Sequence, residues 1–485
     1  LKNVNKIDLK FGFYPKDSSG NIFVYKKGIV YIFSNNSNDK LISINLRAFH
    51  EDKRIKLIFN GENLDEFNIS SRYDNRISFP SYIKKGKNVI EIVSDNCIRP
   101  IELNISNDKR CVSLVFNSID ISELNKKEPI FIEGFFIQNK SLIYLGKYGK
   151  IYIYSENDNP IIISIVATSF IKDRNVSFYL NSQLIENSMI FKEGSKVNLI
   201  SNNFVKGWNT LEITSNDCSI PSGEDKRCIS LIISDIEIKK LDTSNNSVIF
   251  SGGWYSQDNG KNWMSTNGKL YIYSSQDKEY ILFVNMTSFL KDREVSFYLN
   301  SDLIGKTYVF KEGEEIYLPV KLKRGLNSLE IMSEDCSIPS EEDKRCISVG
   351  IFNFNIIPID QFTNEMIMSE GWYLKTKDDD FKWGTDNVKL IYISENNATV
   401  IFYFDILTIY NETTKVEFYL NTEPKNIFEI AMGGGWVYTL PQRIRKGINY
   451  LEFRVPRGCV IIDSILHNKD NRCIAMTLRG IKVGR

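Results

Sequence analysis

Histidine is almost missing from this chain: its 485 residues include only two, His50 and His467. Neither sits in a motif, and a Ser-His-Asp or Cys-His nucleophile site would need one of them with oriented partners. Other signatures of chemistry are missing too. There is no CxxC spacing for zinc, no glycine-rich phosphate loop, no HExxH and no EF-hand loop. Carboxylates are plentiful, yet no pair stands apart from solvated strand and loop positions as a glycosidase pair would. We therefore expect no enzyme, no cofactor and no metal. An excess of one charge is also lacking, with 61 basic against 60 acidic residues and a net charge of +1. Such a balance gives no general drive toward nucleic acid or an anionic membrane. No run reaches the roughly 20 apolar residues that span a bilayer as a helix. The opening LKNVNKIDLKF has no signal-peptide pattern, so the expectation is a removed targeting segment or a fragment.

What is present points to sheets. Aromatics reach 12%, with 24 Tyr and 30 Phe, beside abundant Ile, Val and Asn. β-Branched and aromatic side chains suit a half-buried pleated surface. Four landmarks then recur in one order. An aromatic triplet comes first: GFY from Gly12, GFF from Gly134, GWY from Gly253 and again from Gly371. An apolar strand ends at Asn60, Asn181, Asn300 and Asn421, spaced 121, 119 and 121 residues apart. A basic-Gly-x-Asn turn follows at Gly86, Gly207, Gly325 and Gly447, and a cysteine pair closes each repeat. A period near 120 is far longer than the 20–50 residues of solenoid units and matches a self-sufficient domain.

Within the repeats the periodicity is two, as in KIYIYS (150–155), KLYIYS (269–274) and KLIYIS (389–394). Short runs of this kind between Gly, Asn, Asp and Ser clusters read as strands and turns. The expected fold is all-β, with four tandem antiparallel β-sandwich domains of jelly-roll or Ig-like type. Boundaries are expected at residues 1–122, 123–241, 242–359 and 360–485. The N-terminal NKIDLKF (5–11) is either the first strand of the first domain or a donor that completes a neighbouring sheet.

Each repeat is expected to hold one disulfide: Cys97–Cys111, Cys218–Cys228, Cys336–Cys346 and Cys459–Cys473. Bridges of this kind persist outside the cytosol. Nine sequons, at Asn35, Asn68, Asn104, Asn139, Asn175, Asn245, Asn285, Asn397 and Asn411, are candidate glycan acceptors and point the same way. The DKRC segments put Asp225, Arg227, Asp343 and Arg345 beside cysteines, where they brace the loop or contact a ligand. Trp254 and Trp372 read as core, whereas Trp263 and Trp383 are candidate ligand contacts. The DDD at 378–380 lacks the cage that calcium needs.

The glycine-aromatic triplet, the downstream tryptophan, the Asn-ended strand, the basic-Gly-x-Asn turn and the terminal Cys…DKRCxS resemble β-sandwich domains of archaeal cell-surface and glycosyltransferase-associated membrane proteins. The pattern is fullest from Gly252 to Ser348. Repeat four keeps Trp372 and Trp383 but carries CVIIDSILHNKDNRC, and repeats one and two have Phe13 and Phe135 in the triplet. The resemblance implies a cell-surface setting and specifies no ligand. The leading functional expectation is an extracellular structural protein, a subunit of a surface filament or surface layer that associates with itself or with other surface proteins. The alternative is a carbohydrate-binding or adhesion module. A third is the ectodomain of a membrane glycosyltransferase.

Overall fold

The computed structural model describes residues 4–139, 142–157, 160–201, 204–223, 225–243, 246–255, 260–373, 381–466, 470 and 472–484. The protein is all-β: among the described residues the helical elements are the single turn Asp463–Leu466 and the 3-10 turns Pro100–Leu103 and Ile359–Phe362. It divides into two compact units, Leu1–Leu241 and Asp242–Arg485.

The first unit opens with β1 (Val4–Phe13), β2 (Ile22–Ser34), β3 (Asn38–Ala48), β4 (Lys53–Phe59), β5 (Glu62–Ile69), β6 (Asn75–Ile83), β7 (Gly86–Ser94) and β8 (Leu114–Glu123). Their order is β5-β4-β7-β2-β8-β3-β6, with β1 paired to β2. Strand β2 joins the two layers: Lys27–Ser34 pairs with β7 and Ile22–Val24 with β8. The second sandwich repeats this order with β9 (Ile130–Asn139), β10 (Leu142–Ser155), β11 (Ile161–Ser169), β12 (Arg174–Leu180), β13 (Gln183–Ile190), β14 (Ser195–Ser201), β15 (Gly207–Ser215) and β16 (Leu231–Lys240). Segment 5–11 lies in β1 and pairs with β2 of its own sandwich, so it is a resident strand.

The second unit begins with β17 (Ser247–Phe250), β18 (Asn262–Trp263), β19 (Asn267–Ser274), β20 (Lys278–Ser288), β21 (Arg293–Leu299), β22 (Asp302–Val309), β23 (Glu314–Leu322), β24 (Gly325–Ser333) and β25 (Val349–Pro358). Here the joining strand is broken in two, so the layers separate into β17-β19-β24-β21-β22 and β18-β25-β20-β23. The last sandwich holds β26 (Met366–Met368), β27 (Lys382–Gly384), β28 (Asn387–Ser394), β29 (Ala398–Thr408), β30 (Thr414–Leu420), β31 (Glu423–Ile430), β32 (Gly435–Tyr438), β33 (Gln442–Ile444), β34 (Gly447–Arg454), β35 (Val460–Ile461), β36 (Cys473–Ile474) and β37 (Met476–Gly484). Its layers run β26-β28-β34-β30-β31 and β27-β37-β29-β32.

The recurring landmarks have local causes. At Gly253 the backbone is left-handed, with φ +82°, and an added Cβ would stand 1.9 Å from the Asn267 carbonyl oxygen. Only glycine allows that approach. It lets the following aromatic, buried Trp254, drop into the core against Gly268, where a Cβ would meet its ring at 2.6 Å. The Asn at the end of the apolar strand and the Asn of the basic-Gly-x-Asn turn bond each other: Asn60 to Asn88 at 3.0 Å, Asn181 to Asn209 at 2.9 Å, Asn300 to Asn327 at 3.0 Å and Asn421 to Asn449 at 3.2 Å. Buried Asn88 also accepts from the Lys84 N–H and donates to the Lys84 carbonyl, so the turn closes around a satisfied amide. Alternating burial along Lys53–Phe59, Arg174–Leu180, Arg293–Leu299 and Thr414–Leu420 supplies the inner face of each sandwich.

Candidate binding sites

The cysteine loops consume their own charges. All four bridges are formed, with Cα atoms 5.2 to 5.4 Å apart. In each loop an arginine clasps the aspartate two residues before it, Arg110–Asp108, Arg227–Asp225, Arg345–Asp343 and Arg472–Asp470, at 2.6 to 2.7 Å. Each guanidinium lies over the last ring of its triplet: Tyr14 at 5.2 Å, Phe136 at 5.3 Å, Tyr255 at 5.7 Å and Tyr373 at 5.9 Å. The Tyr14, Tyr255 and Tyr373 hydroxyls donate to the carbonyls of Cys111, Cys346 and Cys473. Arg227 holds the Asp225 carboxyl down to about 2. The DKRC residues thus clamp the disulfide onto the triplet.

The two candidate tryptophans lie on different sandwiches, and neither is an open platform. Trp263 is half-buried in β18, edge-on to Phe289 at 5.7 Å and pressed on Gly350. Trp383 is half-buried in β27 against a cluster of Phe310, Tyr373, Ile462 and Ile474. Asn35, Asn68, Asn104, Asn175, Asn397 and Asn411 are exposed, whereas Asn285 is half-buried on β20. Asn139 is in β9, its side chain outside the described part of the structure; Asn245, His467 and residues 378–380 also lie outside the described residues. His50 is exposed in a turn.

A cleft runs along the joint between the first two sandwiches. Three adjoining cavities of about 350, 230 and 510 Å³ open there, and Arg76 borders all of them. Strand β6 carries Arg76 outward, directly opposite Asn45 on β3. Its guanidinium is exposed, donates to the Ser43 hydroxyl at 3.3 Å and has no carboxylate partner among the described residues. Tyr73, on the turn before β6, meets Phe136 of β9 edge to face at 4.7 Å. Phe131, Asp74 and Glu133 complete the wall. Glu133 immediately precedes the triplet, and burial pushes its carboxyl up to about 7; Lys150 opposes that rise, and Asp65 and Glu212 add to it. Asp65 of the first sandwich forms an ion pair with Lys150 of the second across the joint.

The second unit closes the corresponding joint more tightly. Phe310 stacks on Tyr373 at 4.2 Å. The fully buried Glu314 accepts the Gly371 N–H at 2.9 Å through Oε1, and burial raises its carboxyl well above the usual range. Glu315 pairs with Lys382 at 2.5 Å, and the Tyr317 ring packs beside Ile281, Ile367, Ile391 and Ile393.

One surface that the sequence reading missed lies on the last sandwich. On β32, Trp436 and Tyr438 are 51% and 66% exposed, flanked by Met432 at 71% and Leu440 at 65%. The Trp436 ring lies against Gly480, with Lys482 Nζ 4.8 Å from its centroid, and Tyr438 sits 6.1 Å from Tyr403. The available signal was the alternation GWVY at 435–438, where the earlier repeats carry Arg76, Lys196 or Glu315 in place of the tryptophan. Among the described residues, no cluster of three His, Cys, Asp or Glu side chains could hold a metal, and no helix is long and apolar enough to cross a membrane.

No family model matches the chain, and no curated protein matches it. Solved structures similar to it include a tandem CBM22-1-CBM22-2 domain from Paenibacillus barcinonensis Xyn10C, at 9% identity and TM-score 0.18, covering 48% of this chain and 94% of that one. Another is the ANX2 ectodomain from Arabidopsis thaliana, at 10% identity and TM-score 0.18, covering 50% and 89%. A Paenibacillus xanthan lyase aligns over 96% of this chain and 53% of its own, at 11% identity and TM-score 0.20. Likeness this low says nothing of ligand or activity.

Proposed function

We propose that this chain is a secreted, non-catalytic adhesion protein that binds carbohydrate in the cleft at its first joint, with Arg76 addressing an acidic group on the sugar. The observation that carries this reading is Arg76 itself, an exposed guanidinium bordering three adjoining cavities and left without a carboxylate partner among the described residues. The arginine fork matches the two oxygens of a carboxylate, or those of a sulfate, in a way an ammonium does not. Tyr73, Phe131 and Phe136 supply apolar ring surface, and Asn45 and Asp74 supply groups that discriminate hydroxyls. A few convergent polar groups on an apolar wall, in a volume of about 300 to 1,000 Å³, make a small-ligand site. Four disulfides suit an oxidising, extracellular setting. We read the exposed sequons at Asn35, Asn68, Asn104, Asn175, Asn397 and Asn411 as glycan acceptors, which a mass shift on enzymatic deglycosylation of the secreted protein checks.

Profiling on a glycan array tests the main claim. Binding to uronate- or sulfate-bearing glycans, lost in Arg76→Ala with an unchanged melting temperature, is the expected result. Binding that ignores Arg76→Ala and Tyr73→Ala overturns it.

A further inference from the structure

The exposed aromatic face of the last sandwich occupies the position at which two earlier sandwiches receive a neighbour. The register establishes the equivalence. In the first, third and fourth sandwiches one inner strand is bulged at a single step, Asn45/Leu46, Asn285/Met286 and Asp405/Ile406. The residue just before the bulge faces Arg76 on β6, Glu315 on β23 and Trp436 on β32. Two residues back along the same strand, the facing pairs are Ser43 with Ser78, Phe283 with Tyr317, and Tyr403 with Tyr438.

The first two of these faces adjoin a neighbour within their own unit. Arg76 and Ser78 border the joint with the second sandwich. Glu315 holds Lys382, the Tyr317 carbonyl accepts from Ser369 at 3.0 Å, and the Tyr317 ring meets Ile367 and Ile391. The Phe283–Tyr317 ring pair, 4.9 Å apart, has its counterpart in Tyr403–Tyr438, yet Tyr438 is 66% exposed.

The complementary surface is open as well. The residue three before the joining strand's last serine is Tyr152 in the second sandwich and Ile391 in the fourth. Tyr152 packs on the first sandwich's core, and Ile391 is fully buried beside Tyr317. The first sandwich carries Tyr31 there, half-buried, with Lys87 Nζ 4.8 Å from its ring. Phe11, which precedes Gly12 as Glu133 precedes Gly134 and Glu370 precedes Gly371, is 62% exposed.

We infer that the Trp436–Tyr438 face receives the Phe11–Tyr31 face of a second copy of this chain. The contact reuses the geometry of the two internal joints, with aromatic surface on both sides where those joints also use ion pairs and hydrogen bonds. Because the two faces differ, the contact is heterologous and leaves each copy able to add another. It goes beyond carbohydrate binding at Arg76 and uses other residues, so the two readings fail independently.

Complementation between two full-length variants tests it. Analytical ultracentrifugation from micromolar to near-millimolar concentration should show the wild type growing beyond 56.1 kDa. Trp436→Glu and Phe11→Glu chains should each stay monomeric. Mixed, they should form a one-to-one complex and stop there, because each retains one intact face. The complex also shows that both variants are folded. A wild type that remains monomeric throughout overturns the inference, as do variants that associate like wild type or a mixture that stays monomeric. Quenching of Trp436 fluorescence by an oligosaccharide, with the wild type still monomeric, would overturn it in favour of a sugar on this face.

Discussion

Tyr73 meets Phe136 edge to face, with ring centroids 4.7 Å apart, so the first sandwich's β5–β6 turn seats directly on the triplet that opens the second. The same step in the second unit is made by Phe310 stacked on Tyr373 at 4.2 Å. The triplet therefore does three things at once. Its glycine admits a close backbone approach, its middle ring fills a core, and its last ring holds the disulfide loop and the preceding domain.

The joint of the first unit should respond to pH through Glu133. Its carboxyl is raised from an ordinary 4.5 to about 7 by burial, with Lys150, Asp65, Glu212 and the Asn68 backbone around it. A raised acid binds its proton more tightly in the folded state, so its stabilisation is complete below about 4.5 and lost as pH rises through 7. At roughly 1.4 kcal/mol per unit the swing is about 3 kcal/mol. Hydrogen exchange of residues 131–137, corrected for intrinsic rates, should show more protection at pH 5 than at pH 8. Glu133→Gln should remove that difference.

Gly253→Ala should destabilise the third sandwich by at least about 2 kcal/mol. The added methyl would stand 1.9 Å from a backbone carbonyl oxygen at a φ of +82°, and neither strain is relieved by a side-chain rotation. Thermal unfolding followed by near-ultraviolet circular dichroism reads the loss.

Asn88→Ala should cost about 2 to 3 kcal/mol, because it leaves the Lys84 N–H and carbonyl without their buried partner. A double-mutant cycle with Asn60→Ala should return a coupling of about 1 kcal/mol for the 3.0 Å amide pair. Additivity within error would mean that the two landmarks do not support each other.

Much of this was legible in the chain before any coordinates. Period-two runs and turn clusters declare an all-β fold because a half-buried strand must alternate, and KIYIYS and VSFYLN do so openly. The repeated Asn and Gly positions fall on left-handed backbone, φ +51° at Asn60 and +79° at Gly12, a region those two residues enter most readily, and both recur in every domain. The joints were not legible. They bring Arg76 toward Phe136 and Glu314 toward Gly371, groups some 57 to 60 residues apart in sequence that share no local pattern. Trp263 and Trp383 read as candidate ligand contacts because exposed aromatic rings stack on sugars, yet sequence does not distinguish a ring pressed on Gly350 from one left open. Trp436 shows the converse: it is 51% exposed on a face that the first and third sandwiches turn toward a neighbour, and no local pattern announces that.

The most direct test of the central claim is isothermal titration calorimetry of the full-length protein with a uronic-acid oligosaccharide and its neutral counterpart. Binding of the acidic ligand alone, weakened in Arg76→Ala by about 2 kcal/mol or some thirtyfold, is the predicted result. Equal affinity for both sugars, or an acidic ligand bound equally well by Arg76→Ala, would contradict it.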